Sequence, residues 1–194
     1  MSTISNTGFW SGESVQIHHV HCVPLANWII DYLKMEKNKP IYDFGCGLGN
    51  YLLSLHVAGF KNLTGFEGDV PFKKVFNNIK QQDLTKQFTV PEKGNCIFLE
   101  VAEHVPVQFE NQLLKNVLSS CNGKLIMSWA IRNQPGYGHI NCYNNDEVIE
   151  KISSYGFNYL DKDSSNARSV IVDTAHWFKS TIMIFDCDQQ TRIR

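Results

Sequence analysis

Apolar positions along the chain fall into two kinds of run: short ones bounded by glycine, proline or asparagine, and longer ones with apolar residues three and four apart. Pro40 followed by Ile41, Tyr42 and Phe44 predicts a brief buried strand, because proline stops any helix arriving from upstream. Gly45, Gly47 and Gly49 then read as a tight turn. Residues 51–58, apolar at 51, 52, 55 and 58, predict a helix capped by Asn50 and ended by Gly59. The same reading places strands at 62–67, 95–101, 123–130, 157–160 and 177–185, with a short polar strand at 79–83 suited to a sheet edge. Helices are predicted over 24–35, 71–78 and 107–120, and from a cap at Asn145 to Gly156. Residues 1–16 are small and polar apart from Ile4, Phe9, Trp10 and Val15, and predict an extended arm whose two aromatic side chains dock on the body.

Strands alternating with helices predict an α/β domain, a parallel sheet covered on both faces. Ligands of such sheets sit beyond the carboxyl ends of the strands, which selects the loops after Phe44, Phe66, Gln82, Leu99 and Trp129. The loop after Phe44 carries the most chemistry. Strand, glycine turn and helix start together let a backbone approach a nucleotide-like ligand and offer it unpaired N–H groups. A pyrophosphate fits poorly there, since Asp43 puts a carboxylate two residues before the first glycine, and the third glycine comes one residue early for G-x-G-x-x-G. A cationic ligand suits Asp43 better. Glu67, ending the second strand, stands where a carboxylate accepts both ribose hydroxyls.

At these residues the chain resembles the class I S-adenosylmethionine-dependent methyltransferases, whose acid followed by G-x-G-x-G is matched by Asp43-Phe-Gly-Cys-Gly-Leu-Gly49. The resemblance spans roughly residues 40–186 and continues through Gln82-Asp-Leu-Thr85 and Phe98-Leu-Glu-Val-Ala-Glu-His-Val-Pro106. It implies a single-domain Rossmann-like fold, a seven-stranded sheet of order 3-2-1-4-5-7-6 with strand 7 antiparallel. It implies S-adenosylmethionine as cofactor, held by Asp43, Gly45, Cys46, Gly47, Gly49, Glu67, Asp83 facing the adenine amine, and Glu100. Residues 39–188 would form the core and residues 1–38, arm plus helix, a lid within the same domain. Among His18, His19 and His21 no cysteine or carboxylate stands at ligand spacing, so the lid is preferred there to a metal site.

Methyl transfer needs a base only when the acceptor must lose a proton, and histidine suits that work. Candidates beyond the fourth and fifth strands are Glu103, His104 and His139; the alternative for Glu103 and His104 is capping the helix at 107–120. Residues 135–143 are too polar and glycine-rich for core, and predict a pocket wall with Tyr137, His139 and Asn141 facing in. Arg132, Asp173, His176 and Trp177 are further pocket candidates. Glu100-x-x-Glu103-His104 with a later histidine is similar to the pattern of metal-dependent small-RNA terminal 2′-O-methyltransferases, and Glu-His at this place also occurs in ubiquinone-pathway O-methyltransferases. A divalent cation is therefore an alternative to a plain base, not the preferred reading.

Composition acts mainly by exclusion. At 194 residues there is room for one domain and no inserted unit to grip a macromolecule, which favours a small metabolite or sugar-type acceptor. Lys plus Arg (18) against Asp plus Glu (19) leaves a net charge of −1, without the electrostatic footprint expected of an RNA- or DNA-modifying enzyme, the main alternative. A third reading is a cofactor-binding subunit without catalysis. Six cysteines without C-x-x-C spacing predict reduced thiols and a cytoplasmic setting; no signal peptide or membrane span is expected, and nothing sets the oligomeric state.

Overall fold

The computed structural model describes residues 4–172 and 175–187. Within them one sheet runs through β1 (Ile41–Phe44), β2 (Leu63–Glu67), β3 (Ile79–Gln81), β4 (Gly94–Phe98), β5 (Cys121–Met127), β6 (Phe157–Tyr159) and β7 (Met183–Cys187). Its order is β3-β2-β1-β4-β5-β7-β6, parallel from β3 to β5, with β7 antiparallel to both β5 and β6. The expected topology is therefore present.

Alternation along the strands feeds two separate cores. Tyr42, Phe44, Phe98, Leu125, Met127 and Phe185 face one side, where α4 (Val107–Ser120) and α5 (Asn145–Ser153) bring Leu113, Val117, Val148 and Ile152. Ile41, Leu63, Ile97, Ile126 and Ile184 face the other. There α2 (Val23–Tyr32), α3 (Asn50–Val57), α6 (Asp161–Ser169) and α7 (Phe178–Thr181) contribute Leu25, Ile29, Leu52, Leu55, Ala167 and Phe178. Each fully buried aliphatic or aromatic side chain is worth about 1.5–3 kcal/mol, so both faces are strongly specified. The middle strands are apolar on both faces because both are covered.

Four elements differ from the sequence expectation. The arm is not wholly extended: α1 (Gly12–His18) forms because the Ser11 hydroxyl accepts from the Ser14 N–H and Glu13 sits in the first turn. Residues 71–78 form no helix. Phe72 is 95% exposed, and the segment's polar groups are committed elsewhere: the Val75 N–H donates to the Leu48 carbonyl and the Asn78 amide to Leu63. The last strand starts at Met183 rather than at 177, since the hydroxyls of Ser180 and Thr181 fold back onto the Trp177 carbonyl and close α7. Helix α6 carries so few apolar residues that periodicity cannot show it; Ser164 anchors it, donating to the Leu160 carbonyl and accepting the Ile184 N–H. Smaller shifts concern caps: Gly49, at φ 84°, precedes α3 in place of Asn50, and Asn144 caps α5.

The turn that carries Asp83 is held from below by Asn116 of α4. This buried amide donates to the carbonyls of Leu84 and Lys86, 2.8 Å each, and accepts from Gln112 and the Phe88 N–H. Asn116→Ala leaves the buried Leu84 carbonyl unpaired and should cost about 1–3 kcal/mol. Urea denaturation measures it, and a loss below about 0.5 kcal/mol, the scale of ordinary surface changes, would refute the anchoring role.

Candidate active site

The carboxyl ends of β1 and β2 bring two acids together. Glu67 is buried, with Oε2 accepting the Gly47 N–H at 2.7 Å and Oε1 accepting the Gly68 N–H at 2.8 Å. Gly47 reaches that hydrogen bond only at φ 56°, and a Cβ there would lie 2.2 Å from the His19 ring. Gly45 and Cys46 donate their N–H groups to the Phe66 carbonyl, which locks the first half of the loop onto β2. Cys46 lies buried in the loop with its thiol pushed well up by burial. Asp43 is buried beside this loop, and its Oδ2 has no hydrogen-bond partner. Burial first, then the charge of Glu67, pushes Asp43 up to about 8; burial pushes Glu67 up to about 7 despite its two N–H donors. An uncompensated carboxyl aimed into a cleft is a site for a cation, which fits an ammonium group, and Glu67 presents its remaining lone pairs for hydroxyls.

The N-terminal arm crosses this cleft. Asp83 accepts from the Thr85 N–H and hydroxyl with one oxygen and from the Thr7 hydroxyl, at 3.1 Å, with the other. Phe9 packs its ring on Gly68, and the Gly12 N–H donates to Asp69 at 2.8 Å. Trp10 meets His104 edge-on at 5.0 Å between ring centres, and His18 stacks on Tyr137 at 5.8 Å. The enclosed space has a volume of about 420 Å³.

The far wall is built by the ends of β4 and β5. Glu100 adopts φ 55°, rare for a residue with a side chain, and is held there by Ser128, whose hydroxyl accepts the Glu100 N–H and donates to Oε1, both at 2.8 Å. Burial pushes Glu100 up to about 7. Glu103 lies in a 3₁₀ turn (Ala102–His104), fully buried, with both carboxylate oxygens lacking a hydrogen-bond partner. Burial, then the charge of Glu100, pushes its carboxyl well up. It does not cap α4, whose N-cap is Pro106 with no side-chain bond. His104 Nδ1 lies 3.2 Å from the Gly138 carbonyl and His139 Nδ1 3.3 Å from the Gln134 carbonyl; a carbonyl only accepts, so each ring donates there and keeps an Nε2 lone pair. His139 Nε2 points at Glu103 across 3.9 Å. Burial, then the neighbouring His139, pushes His104 down to about 4, and burial lowers His139.

Most sequence candidates thus converge on one cleft: Asp43, Gly45, Cys46, Gly47, Glu67, Asp83, Glu100, His104, His139 and Tyr137 line it, as do His176 and Trp177. Gly49 instead ends the loop against Phe76. Glu103 is fully buried and does not line the cleft itself. Two further candidates turn away from the site. Asn141 turns inward, donating to Glu110 and accepting the Trp129 indole N–H on its carbonyl, because a buried indole and a buried carboxylate both need partners there. Arg132 pairs at the surface with Glu147. Asp173 lies outside the described residues. Sequence reasoning missed Ser128, Gln134, Thr7 and Val15; only the aromatic residues of the arm gave advance notice that this segment docks.

Because Asp43 holds its proton more tightly folded than unfolded, the folded state binds more protons between about pH 4 and 8, and stability must fall as pH rises through that window. Asp43→Asn should remove this slope, so that the variant gains on the native protein from pH 5 to 8 and the gap then levels. Parallel melts across pH would disprove the buried-acid assignment.

No protein-family model matches the chain, and no curated protein sequence does. Solved structures do. Magnesium protoporphyrin IX methyltransferase (ChlM) from Synechocystis PCC 6803, with bound SAH, is 17% identical, with a TM-score of 0.60 over 91% of this chain and 83% of that one. The 1,6-didemethyltoxoflavin-N1-methyltransferase of Burkholderia thailandensis gives 0.64 at 12% identity with the same coverages. N-methyltransferase NodS from Bradyrhizobium japonicum WM9 gives 0.61 at 14% over 95% of this chain and all of that one. With the sheet order, the glycine loop and the acid ending β2, these likenesses lead to one statement: the chain has the fold of the class I S-adenosylmethionine-dependent methyltransferases.

Proposed function

We propose that this protein is a methyltransferase that binds S-adenosylmethionine and methylates a small acceptor. The observation that carries the reading is the pairing of an unpartnered buried carboxyl, Asp43, with Glu67 across a glycine loop in an enclosed cleft. Structures of this fold with bound SAH support it. The cofactor, when bound, supplies an electrophilic methyl group on a sulfonium sulfur. Asp43 takes its ammonium group and Glu67 its ribose hydroxyls. Asp83 takes the adenine amine in exchange for its bond from Thr7. The N-terminal segment, through His19 and the helix after it, acts as the lid: Phe9 and Trp10 exclude water, and the limited volume selects a metabolite or a sugar-type group over a polymer. At the far wall His139 accepts the acceptor's proton at Nε2, the tautomer being set by the Gln134 carbonyl, and His104 orients the acceptor.

Glu67→Ala should weaken SAH binding by about 10- to 150-fold, the scale of hydrogen bonds to a charged group. Calorimetry on the folded variant measures this, and unchanged affinity sinks the cofactor assignment. Transfer of tritiated methyl groups from labelled cofactor into fractionated metabolite and nucleic-acid extracts then identifies the acceptor. Label entering RNA or DNA alone would favour a nucleic-acid-modifying enzyme; SAH binding with no label transferred would favour a binding subunit.

A second reading rests on the lone pair of His139 Nε2 facing the unpartnered oxygens of Glu103. Such a juxtaposition is repulsive unless a proton or a cation stands between. Donor atoms of Glu103, His104 and His139 lie within 4.8 Å of one another, and both imidazoles are steered from behind by carbonyls. A divalent cation there would lower the pKa of an acceptor hydroxyl. Glu100 is outside this set, being bound to Ser128 and Gln134. Titration with Mn²⁺ separates the two readings. Stoichiometric binding lost in His139→Ala, together with activity abolished by chelation and restored by the ion, supports the metal. Absence of binding leaves His139 as the base, and His139→Ala should then lower kcat by about 10²- to 10⁴-fold with SAH affinity unchanged.

A further inference from the structure

The methionine portion of the proposed cofactor is a zwitterion, and the cleft answers only half of it through Asp43. A carboxylate moved out of water needs a donor of its own. Yet among the described residues lining the cleft there is no lysine or arginine; the basic side chains are five histidines. Four of these have other engagements or the wrong place. His104 and His139 belong to the far wall and donate to carbonyls; His18 stacks on Tyr137. His176 is exposed beside Trp177.

His19 remains. It follows α1, whose last turn it caps by donating its N–H to the Val15 carbonyl, and its ring descends onto Gly47 of the glycine loop, where it joins the lining of the cleft. Its Nε2 is sealed from solvent and has no hydrogen-bond partner. A buried, unpartnered imidazole nitrogen carries a desolvation cost that a hydrogen-bonding ligand would offset. Resting on the S-adenosylmethionine reading of the site, we infer that Nε2 of His19 donates to the carboxylate of the cofactor's methionine portion, completing with Asp43 a two-ended grip on the amino acid. The contact also gives the arm a function in binding. The lid closes on the cofactor through His19, so cofactor and closed lid stabilise each other.

Calorimetry with two ligands tests this. SAH carries the amino-acid carboxylate, and 5′-methylthioadenosine keeps the nucleoside and sulfur but lacks the amino acid. His19→Ala should weaken SAH by about 10- to 100-fold, as expected for one hydrogen bond to a charged group, and change methylthioadenosine by less than about 2-fold. His19→Gln places an amide nitrogen near the position of Nε2 and should recover most of the SAH affinity. Equal losses for both ligands would mean that the substitution merely disturbs the arm, and unchanged SAH affinity that backbone N–H groups hold the carboxylate; either overturns the assignment. Failure of the native protein to bind SAH would be a different result, removing the cofactor reading itself.

Discussion

The carboxylate of Glu67 is the constraint from which the rest of the site follows. It accepts one N–H from the glycine loop after β1 and one from the turn after β2, and so fastens the two turns to each other beyond the last paired residues of the strands. Reaching it requires a left-handed residue at position 47, with no room for a side chain under His19. The same burial that strengthens these bonds raises both Glu67 and Asp43, and the charge of Glu67 raises Asp43 further.

A second set of contacts decides where the far wall stands. The loop after β5 is long and glycine-rich, yet it is pinned at Asn141, and the acid that holds it there is itself held. The Trp129 indole donates to the Asn141 carbonyl, the Asn141 amide donates to Glu110, and Glu110 is paired with Lys151. The Glu103 carbonyl accepts the N–H groups of Ile140 and Asn141, tying the loop to the turn that carries Glu103 and His104. These bonds leave the peptide around His139 little choice of position. Its ring therefore meets Glu103 through the backbone of its neighbours rather than through any direct bond. An element that looks loose in sequence is in this way firm enough to orient a base or a ligand, the preorganisation that catalysis requires.

The arm closes the remaining side by docking aromatic faces where side chains are missing. Phe9 fills the space over Gly68, and Trp10 lies against His104. Of its polar contacts, the Gly12 N–H to Asp69 anchors it beyond β2, and the Thr7 hydroxyl falls on Asp83, an acid that lines the ligand cleft. Ligand entry must therefore compete with the arm's own contacts. Within one chain, closure and binding draw on the same groups.

What the sequence determined by itself is the sheet and the cofactor end of the cleft. Residues around Asp43 and Glu67 are adjacent to their own strands, and strands buried on both faces declare themselves by apolar runs such as Leu125 to Met127. Helix 107–120 was legible for the same local reason. Elements whose stability comes from distant partners were not: α6 is held by Ser164 bonding to Ile184, and residues 71–78 give up a helix to pair with Leu48 and Leu63. Only tertiary structure decided that Asn141 faces the core while His139 faces the cleft, because the buried carboxylate of Glu110 takes the asparagine's amide and a buried indole its backbone carbonyl. It also decided that His19 seats its ring on Gly47, a contact between residues on separate elements that no local pattern encodes. Periodicity reports which face a residue shows; which group waits opposite that face is fixed by the fold.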